Sequence, residues 1–258
     1  MSLDQDMGPE KGMGPEKGMG PEKDIGPAKG MGLEKGMGPD RAVVATPEGA
    51  GEGAGAAAAS PQHRIATLTR TTNETDIALR IDLDGTGRTA IATGVPFFDH
   101  MLDAFGRHGL FDLDVAATGD LAVDAHHTVE DVGIVAGQAI AKALGAKRGI
   151  TRFGHSLVPM DEALVLCACD ISGRGQLHYD VQVPIEIIGT FDTTLAKEFL
   201  IALAANAGLT LHLRSLAGEN SHHIIEAAFK AAARALKEAV ALDPRIAGIL
   251  PSTKGSLA

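Results

Sequence analysis

Asp124 to Gly145 reads DAHHTVEDVGIVAGQAIAKALG, and Ser221 to Leu242 reads SHHIIEAAFKAAARALKEAVAL. Each stretch opens with the pattern His-His-x-x-Glu and continues with apolar residues at the spacing of an amphipathic helix. The pattern returns after 96 residues, from His126 to His222. We interpret this repeat as the mark of a duplicated domain, in which the same short motif opens the last helix of each half.

The segments before each motif follow the same order. Before the first motif, IALRIDLDGTGRTAI (Ile77 to Ile91) predicts two strands joined as a hairpin through Asp84 to Gly87. VPFFDHMLDAFGRHG then predicts a helix, and LFDLDVAAT predicts a strand. Before the second motif, Ala163 to Val183 predicts two strands, TLAKEFLIALAANAG a helix and LTLHLRSL a strand. Each half is therefore predicted as β-β-α-β-α, and the whole as an α+β fold with antiparallel sheets covered on one face by helices.

The first 61 residues differ from this pattern. From Met7 the hexapeptide MGPEKG recurs with small changes, and an Ala/Gly-rich stretch follows. Such a composition buries too little apolar surface to offset chain entropy, so we expect residues 1–61 to be a disordered, low-complexity tail. Residues 62–258 are expected to form the duplicated domain, with halves at about 62–150 and 151–258.

Composition excludes several classes of function. The net charge is −10, which argues against nucleic acid as a partner, and only 3% of residues are aromatic. No apolar run reaches the roughly 18 to 20 residues that span a bilayer, so no membrane partner is expected. Cys167 and Cys169 are the only cysteines, and we interpret them as core residues of a strand in a reducing, cytoplasmic protein.

The repeated motif predicts metal binding. On a helix the first histidine and the glutamate share a face, while the two histidines point about 100° apart. The histidines of one pair would therefore serve two different ions more easily than one. Imidazole suits Mn, Fe, Co, Ni or Zn, and added carboxylates favour the harder ions of this set.

The repeat extends the candidate ligands. His100 lies on the helix before the first motif, and Glu198 lies on the equivalent helix before the second. Eight candidates match two metal ions with about four protein ligands each. The predicted ligands are His100, His126, His127, Glu130, Glu198, His222, His223 and Glu226.

A second group of candidates is cationic. Arg152, Arg174, Lys230 and the C-terminal Ser252-Thr253-Lys254-Gly255 lie outside the metal motif. Together they could hold a phosphate, because guanidinium, ammonium, hydroxyl and backbone groups all donate to phosphate oxygens. Composition alone leaves open whether they are only solvated surface charges.

Several ordered motifs carry a resemblance to a known family. TRTTNETDIALRIDLDG, TGVPFFDHMLDAFGRHG, DAHHTVED, PMDEAL, DISGR, NSHHIIEAAFKA and PSTKG together resemble imidazoleglycerol-phosphate dehydratase of histidine biosynthesis. The resemblance covers about Arg64 to Leu257. No phosphatase-like domain precedes the matched region, so the chain resembles the monofunctional form. The fold implied is of the ribosomal protein S5 domain 2-like type.

The resemblance implies a hydro-lyase that converts D-erythro-imidazole-glycerol phosphate to imidazole acetol phosphate and water. It implies two Mn(II) ions per subunit and a cytoplasmic homo-oligomer of 24 subunits with active sites at subunit interfaces. Glu74 is the candidate for acid–base catalysis, and Glu130 and Glu226 are expected to be ligands first, with a possible share in proton transfer. The resemblance assigns the substrate phosphate to Arg152, Arg174, Lys230, Ser252 and Lys254, with Glu74 also at the substrate.

Two other functions stay open at this stage, and one position departs from the family. A dinuclear metal-dependent hydrolase also uses clusters of histidine and carboxylate, and a non-enzymatic binding module could share the scaffold. Many family members carry histidine where this chain has Glu198. Either Glu198 is an alternative ligand, as the repeat suggests, or one metal has an altered shell.

Overall fold

The computed structural model describes residues 63–257, and the predicted disordered tail lies outside them. Fourteen strands and α-helices and one 3₁₀ turn follow one another along this part of the chain. The elements are β1 (Ile65–Thr71), β2 (Thr75–Asp82), β3 (Thr89–Ala92), α1 (Pro96–Gly109), β4 (Asp112–Gly119), α2 (His126–Leu144), β5 (Phe153–Met160), β6 (Ala163–Asp170), β7 (Gln176–Asp180), β8 (Ile187–Ile188), β9 (Phe191–Asp192), α3 (Leu195–Ala207), β10 (Thr210–Ala217), α4 (Ser221–Val240) and the 3₁₀ turn Pro244–Ile246.

The two halves have the same sheet topology. The first sheet has the order β1-β2-β4-β3 and the second the order β5-β6-β10-β7. All pairings in these two sheets are antiparallel except β3 with β4 and β7 with β10, which are parallel. Duplicated α+β halves are therefore confirmed. The first half contains one strand more than predicted, β1, and the second contains three more, β5 and the short antiparallel pair β8 and β9.

The predicted hairpin through Asp84 to Gly87 is wrong. β2 and β3 flank this turn in the sequence, but β4 lies between them in the sheet. The same holds for β6 and β7, which β10 separates. The true hairpins are β1–β2 and β5–β6, and their turns contain Glu74 and Glu162.

The helices join the two halves into one core. α2 packs on β1 and β2, and α4 packs on β5 and β6, whereas α1 packs against α4 and α3 against α2. Each short helix therefore lies on the long helix of the other half. Phe98 of α1 contacts Phe199 of α3 edge to face, and Phe199 stacks on Phe229 of α4, with ring centroids 5.3 Å apart in both pairs.

A glycine allows one of these helix pairs to come close together. At Gly133 of α2, a Cβ atom would lie only 2.8 Å from the carbonyl oxygen of Phe199, so a larger residue would push α3 away. The backbone beside Glu198 is thereby held against α2, three residues beyond Glu130.

Among the described helices, none combines the length and apolarity needed to cross a bilayer.

Candidate metal centre

Both histidine pairs lie on the first turn of a long helix. The Asp124 carboxylate accepts a hydrogen bond from the backbone N–H of His126 at 2.8 Å, and the Asn220 side chain accepts one from His222 at 2.9 Å. Asp and Asn favour helix starts because their side chains satisfy free backbone N–H groups. These contacts lie at the starts of α2 and α4, and the i and i+4 spacing within each helix places the first histidine one turn before its glutamate.

One group of ligand-type side chains converges at the contact between α1 and α4. Glu226 Oε2 lies 3.1 Å from His222 Nε2 and 3.2 Å from His100 Nε2. One ligand atom from each of the three lies within 4.8 Å of the others. Phe97 packs edge to face on His222, with ring centroids 5.1 Å apart, and restricts the rotation of that imidazole.

The equivalent group in the other half is more open. His126 Nε2 lies 3.7 Å from Glu130 Oε2, again at i and i+4 on one helix face. Glu198 is half-buried on α3, the helix that packs against α2. Within the described residues it makes no hydrogen bond or ion pair with His126 or Glu130, so the three do not form a closed group like that of Glu226.

The second histidine of each pair points away from its glutamate. The rings of His126 and His127 lie 6.2 Å apart at 90°, and those of His222 and His223 lie 6.2 Å apart at 84°. His127 Nδ1 is 3.0 Å from Asp120 Oδ2, and His223 Nδ1 is 2.7 Å from Glu162 Oε2.

These carboxylates change the proton affinity of their partners. The hydrogen bond that His127 donates to Asp120 raises the pKa of His127, and the bond that His223 donates to Glu162 raises the pKa of His223. The same bond from His223, with the backbone N–H of Asn220, lowers the pKa of Glu162 to about 2. A carboxylate on Nδ1 also makes the remaining ring nitrogen a better metal ligand.

Glu226 remains ionised although its side chain is 9% exposed. Burial raises the pKa of this carboxyl, but the hydrogen bond and the charge of Lys230 more than offset the burial and bring the pKa below its ordinary value. Lys230 Nζ lies 2.7 Å from Glu226 Oε1, while Oε2 faces the two histidines. The carboxylate is thus held in the form that binds a cation.

Glu74 reaches the histidines from the β1–β2 turn. Its Oε2 lies 3.9 Å from His127 Nδ1, and its side chain is 54% exposed. The next residue, Thr75, donates a hydrogen bond to the buried carboxylate of Asp131 on α2, which also pairs with Arg70. This network ties the turn to α2 and keeps Glu74 beside His127.

The donor set fits a divalent metal ion. Imidazole nitrogens and a carboxylate oxygen converge on one point, and their carboxylate is buried and ionised. Such mixed nitrogen and oxygen ligands suit Mn, Fe, Co, Ni or Zn. His100, His222 and Glu226 would hold one ion, and three protein ligands leave coordination positions open for other groups.

The predicted phosphate-binding residues divide into two places. Lys230 lies at the metal cluster, through Glu226. Arg152 binds Asp170 with Nε at 2.8 Å and donates from its guanidinium to the carbonyl of Pro251, next to Ser252. The other predicted phosphate-binding residues form a second group. Within the described residues, none of them makes a hydrogen bond or ion pair with a predicted metal ligand. They are Arg152, Arg174, Ser252 and Lys254.

Cavity size does not identify this site. A cavity of about 650 Å³ is lined by Arg64, Arg234 and Lys237 among others and by none of the predicted ligands. A smaller cavity of about 310 Å³ lies beside His126, with Thr190 and Asp192 on its other wall. The convergence of ligand atoms is the better criterion, because metal binding depends on donor geometry rather than on volume.

Comparison with known proteins shows the family of this chain. Residues 93–236 match the family model of imidazoleglycerol-phosphate dehydratase. The chain belongs to the imidazoleglycerol-phosphate dehydratase family. It is 63% identical over 194 residues to imidazoleglycerol-phosphate dehydratase of Acidiphilium cryptum, a match that covers 75% of this chain and 99% of that protein. The enzyme of Gloeobacter violaceus is 60% identical, over 75% of this chain and 98% of its own length.

Solved structures of imidazoleglycerol-phosphate dehydratases share the fold. The enzyme from Staphylococcus aureus subsp. aureus N315 superposes with a TM-score of 0.64 at 40% identity, over 69% of this chain and 99% of that one. The Pyrococcus furiosus enzyme in complex with (S)-C348 gives the same score and identity, over 74% of this chain and all of that one. The predicted family, fold and hydro-lyase class are confirmed.

Two residues at this candidate metal centre were not singled out from the sequence. Asp120 and Glu162 contact the second histidines; Asp120 precedes His127 by 7 residues, and Glu162 precedes His223 by 61. Glu162 occupies the β5–β6 turn as Glu74 occupies the β1–β2 turn. Recognition of β5–β6 as the counterpart of β1–β2 would have exposed the correspondence between these two glutamates.

Proposed function

We propose that this chain dehydrates D-erythro-imidazole-glycerol phosphate to imidazole acetol phosphate in histidine biosynthesis, at metal centres built from the repeated motif. Family membership confirms the dehydratase reaction predicted from the sequence. The observation that carries the location of the site is the convergence of His100, His222 and Glu226.

The proposed cofactor is Mn(II), two ions per subunit, because mixed imidazole and carboxylate donors suit this ion. When bound, the ions supply Lewis-acid stabilisation of the negative charge that develops on the substrate imidazole. The proposed ligands are His100, His126, His127, Glu130, Glu198, His222, His223 and Glu226.

The change from substrate to product defines what the residues must do. In the substrate, the carbon attached to the imidazole ring and the next carbon of the chain each carry a hydroxyl. The product keeps only the oxygen on the second of these carbons, as a ketone. The ring-bearing carbon therefore loses hydroxide, and its neighbour loses a proton. Together they leave as water, and the resulting enol takes up a proton on the ring-bearing carbon to become the ketone. Proton transfers at two carbons require a positioned acid–base group.

Glu74 is the proposed acid–base residue. Its carboxylate is largely exposed to solvent and lies beside His127, so it can exchange protons with a bound substrate. Glu226 is less suited to this role because Lys230 and two histidines already share its oxygens. Glu130 is proposed as a ligand first, through its position one turn after His126.

The substrate phosphate is proposed to bind the cationic group. Lys230 lies one turn beyond Glu226, where an ammonium can attract the phosphate while the imidazole end of the substrate reaches the metal ligands. Arg152, Arg174, Ser252 and Lys254 are proposed to complete the phosphate site. Arg152 is already directed toward the C-terminal segment by its bond to Pro251.

A homo-oligomer is the proposed working form, with 24 subunits as in the family expectation. Within the described residues of one chain, three ligand-type side chains form a closed group, and the second histidines point away from their glutamates. A neighbouring copy would supply the missing ligands. A cytoplasmic location is also proposed, because Cys167 and Cys169 are buried and unpaired, which suits a reducing compartment.

The test compares two reactions in the same preparation. With Mn²⁺, the wild-type protein is expected to form imidazole acetol phosphate and to leave simple phosphomonoesters intact. Glu226→Gln should lose dehydration by orders of magnitude, because it removes the shared anionic ligand. Glu238→Gln is the matched control, since it lies on the same helix about 18 Å further along at 1.5 Å per residue. Full dehydration by metal-free protein, or phosphoester hydrolysis faster than dehydration, would overturn the proposal.

A further inference from the structure

In both halves of the chain, a carboxylate from a loop contacts the second histidine of the motif, but the loop differs between the halves. In each half the second histidine of the motif presents Nδ1 to a carboxylate that is not a predicted ligand. For His127 the carboxylate is Asp120, which follows β4. For His223 it is Glu162, which lies in the β5–β6 turn. The same contact from unrelated positions indicates that the contact itself is needed.

The chemical consequence concerns the ring nitrogens. A carboxylate beside Nδ1 accepts a hydrogen bond from the Nδ1–H group, which favours the tautomer with the lone pair on Nε2. Asp161 Oδ2 lies 3.7 Å from His223 Nε2, outside hydrogen-bonding distance, and within residues 63–257 this nitrogen makes no hydrogen bond. His223 Nε2 is therefore available as a ligand in a fixed orientation.

Glu162 is itself held in place from both sides. Its Oε1 accepts the backbone N–H of Asn220 at 2.8 Å and that of Glu219 at 3.3 Å, just before α4 begins. Its Oε2 is then left for His223. The carboxylate connects the β5–β6 turn to the start of α4, so the orientation of His223 follows from the backbone of both elements.

Glu74, the glutamate of the first half that corresponds to Glu162, makes different contacts. Glu74 lies 3.9 Å from His127, and Asp120 takes the place at Nδ1. The duplicated turn glutamates have thus diverged. Glu162 makes hydrogen bonds to His223 and to the backbone before α4, whereas the Glu74 carboxylate makes no hydrogen bond within residues 63–257. This divergence agrees with an acid–base role for Glu74 alone.

We propose that Glu162 and Asp120 are positioning residues, which hold His223 and His127 with Nδ1 protonated and Nε2 directed at a metal ion. The proposal rests on the metal centres of the proposed function. It assigns neither residue to the ligands or to the reacting groups, and it predicts that each residue acts on the metal site of its own histidine.

The experiment measures Mn²⁺ binding to metal-free protein by calorimetry and by the electron paramagnetic resonance signal of free Mn²⁺. Glu162→Ala should weaken one site about 10–100-fold and leave the other unchanged, as loss of such partners does elsewhere. Glu162→Gln should restore much of the affinity, because an amide oxygen also accepts the Nδ1 proton. Saturating Mn²⁺ should recover kcat with KM unchanged.

A matched control separates positioning from helix stability. Asn220→Ala removes a side-chain cap of α4 but leaves Glu162 on His223, so it should bind Mn²⁺ like the wild type. If Glu162→Ala does not fold, Asp120→Ala and Asp120→Asn make the same comparison at His127. Wild-type protein that binds no Mn²⁺ refutes the metal centres themselves. Wild-type protein with two ions and an Ala variant of unchanged affinity refutes only the positioning role.

Discussion

Lys230 Nζ lies 2.7 Å from Glu226 Oε1, one helical turn further along α4, while the other oxygen of the same carboxylate faces His100 and His222. The pair joins the predicted metal site to the predicted phosphate site through a single side chain. A substrate with an imidazole at one end and a phosphate at the other matches this arrangement of charges.

Lys230→Met should therefore raise KM far more than it lowers kcat. Methionine keeps the length of the side chain but removes the charge, and a hydrogen bond to a charged group contributes roughly 1.5–3 kcal/mol, or about 10–100-fold in binding. Lys237→Met, an exposed lysine on the same helix, is the control and should leave KM unchanged. Steady-state kinetics on both variants decide the matter, and an unaltered KM for Lys230→Met would mean that this lysine only neutralises Glu226.

Metal removal should affect assembly as well as activity. If ligands come from more than one subunit, the free energy of metal binding also stabilises the oligomer. A chelator is expected to abolish turnover, lower the Tm and shift the protein to smaller species, and Mn²⁺ should reverse all three. Light scattering after size-exclusion chromatography gives the readout. Full-size particles of unchanged Tm without metal would separate assembly from the metal centres.

Asp112 predicts a pH dependence of stability away from the site. This buried carboxylate accepts hydrogen bonds from Arg88 and from the backbone N–H groups of Thr86 at 2.7 Å and Arg88 at 3.0 Å. The Arg88 side chain is the largest cause that brings the pKa of Asp112 far below its ordinary value. A lowered pKa in the folded state means that the stabilisation is complete above the unfolded pKa, about 3.9, and is lost as pH falls below it.

Asp112→Asn should accordingly reduce the free energy of unfolding at pH 7, and the difference from wild type should shrink as pH falls below about 4. Asp114→Asn on the same strand is the control, because Asp114 is 54% exposed and lies 3.7 Å from Arg80. Urea unfolding at several pH values measures both. A difference that stays constant with pH would contradict the electrostatic account.

The helices and the ligand pairs on them could be predicted because their signals are local. The apolar spacing and the His-His-x-x-Glu pattern predict α2 and α4. In any helix, residues at positions i and i+4 share a face, so His222 lies next to Glu226. The order of strands could not be predicted in this way. Which strand pairs with which depends on contacts distant in sequence, and β4 separates two strands that a tight turn connects.

The missed strand β5 shows how packing overrides local preference. Its sequence FGHSLVPM contains Gly154 and Pro159, both unfavourable in a strand interior. At Gly154 a Cβ would lie 2.0 Å from the carbonyl oxygen of Ala235, so glycine is what lets this strand approach α4. Pro159 is tolerated because β5 is an edge strand. The position of Glu162, and with it the partner of His223, follows from this strand.

Residues 1–61 should be dispensable. The Acidiphilium cryptum relative matches 194 residues of this chain over 99% of its own length, so it has no equivalent of a long repeat tail. A protein of residues 62–258 is expected to keep the turnover, metal content and oligomer size of the full chain, because a segment of this Gly- and Pro-rich composition is expected to contribute little to a folded core. Loss of the oligomer on truncation would show that the repeat takes part in assembly.

Glu198 is the sharpest test of the duplication. It corresponds to His100, and α3 lies against α2 as α1 lies against α4, with Gly133 allowing the backbone next to Glu198 to approach α2 just beyond Glu130. If Glu198 is a ligand, Glu198→Ala should lower bound manganese from about two ions per chain towards about one and reduce turnover by orders of magnitude. Glu198→His should keep both ions and much of the activity, because imidazole also binds Mn(II).

Lys197→Ala, at the exposed neighbour of Glu198, is the control and should change neither the bound manganese nor the turnover. Metal analysis with turnover on these three variants distinguishes a ligand from a surface charge, whose loss typically costs within about 0.5 kcal/mol. A Glu198→Ala protein with two bound ions and normal turnover would show that the two halves do not use their short helices in the same way.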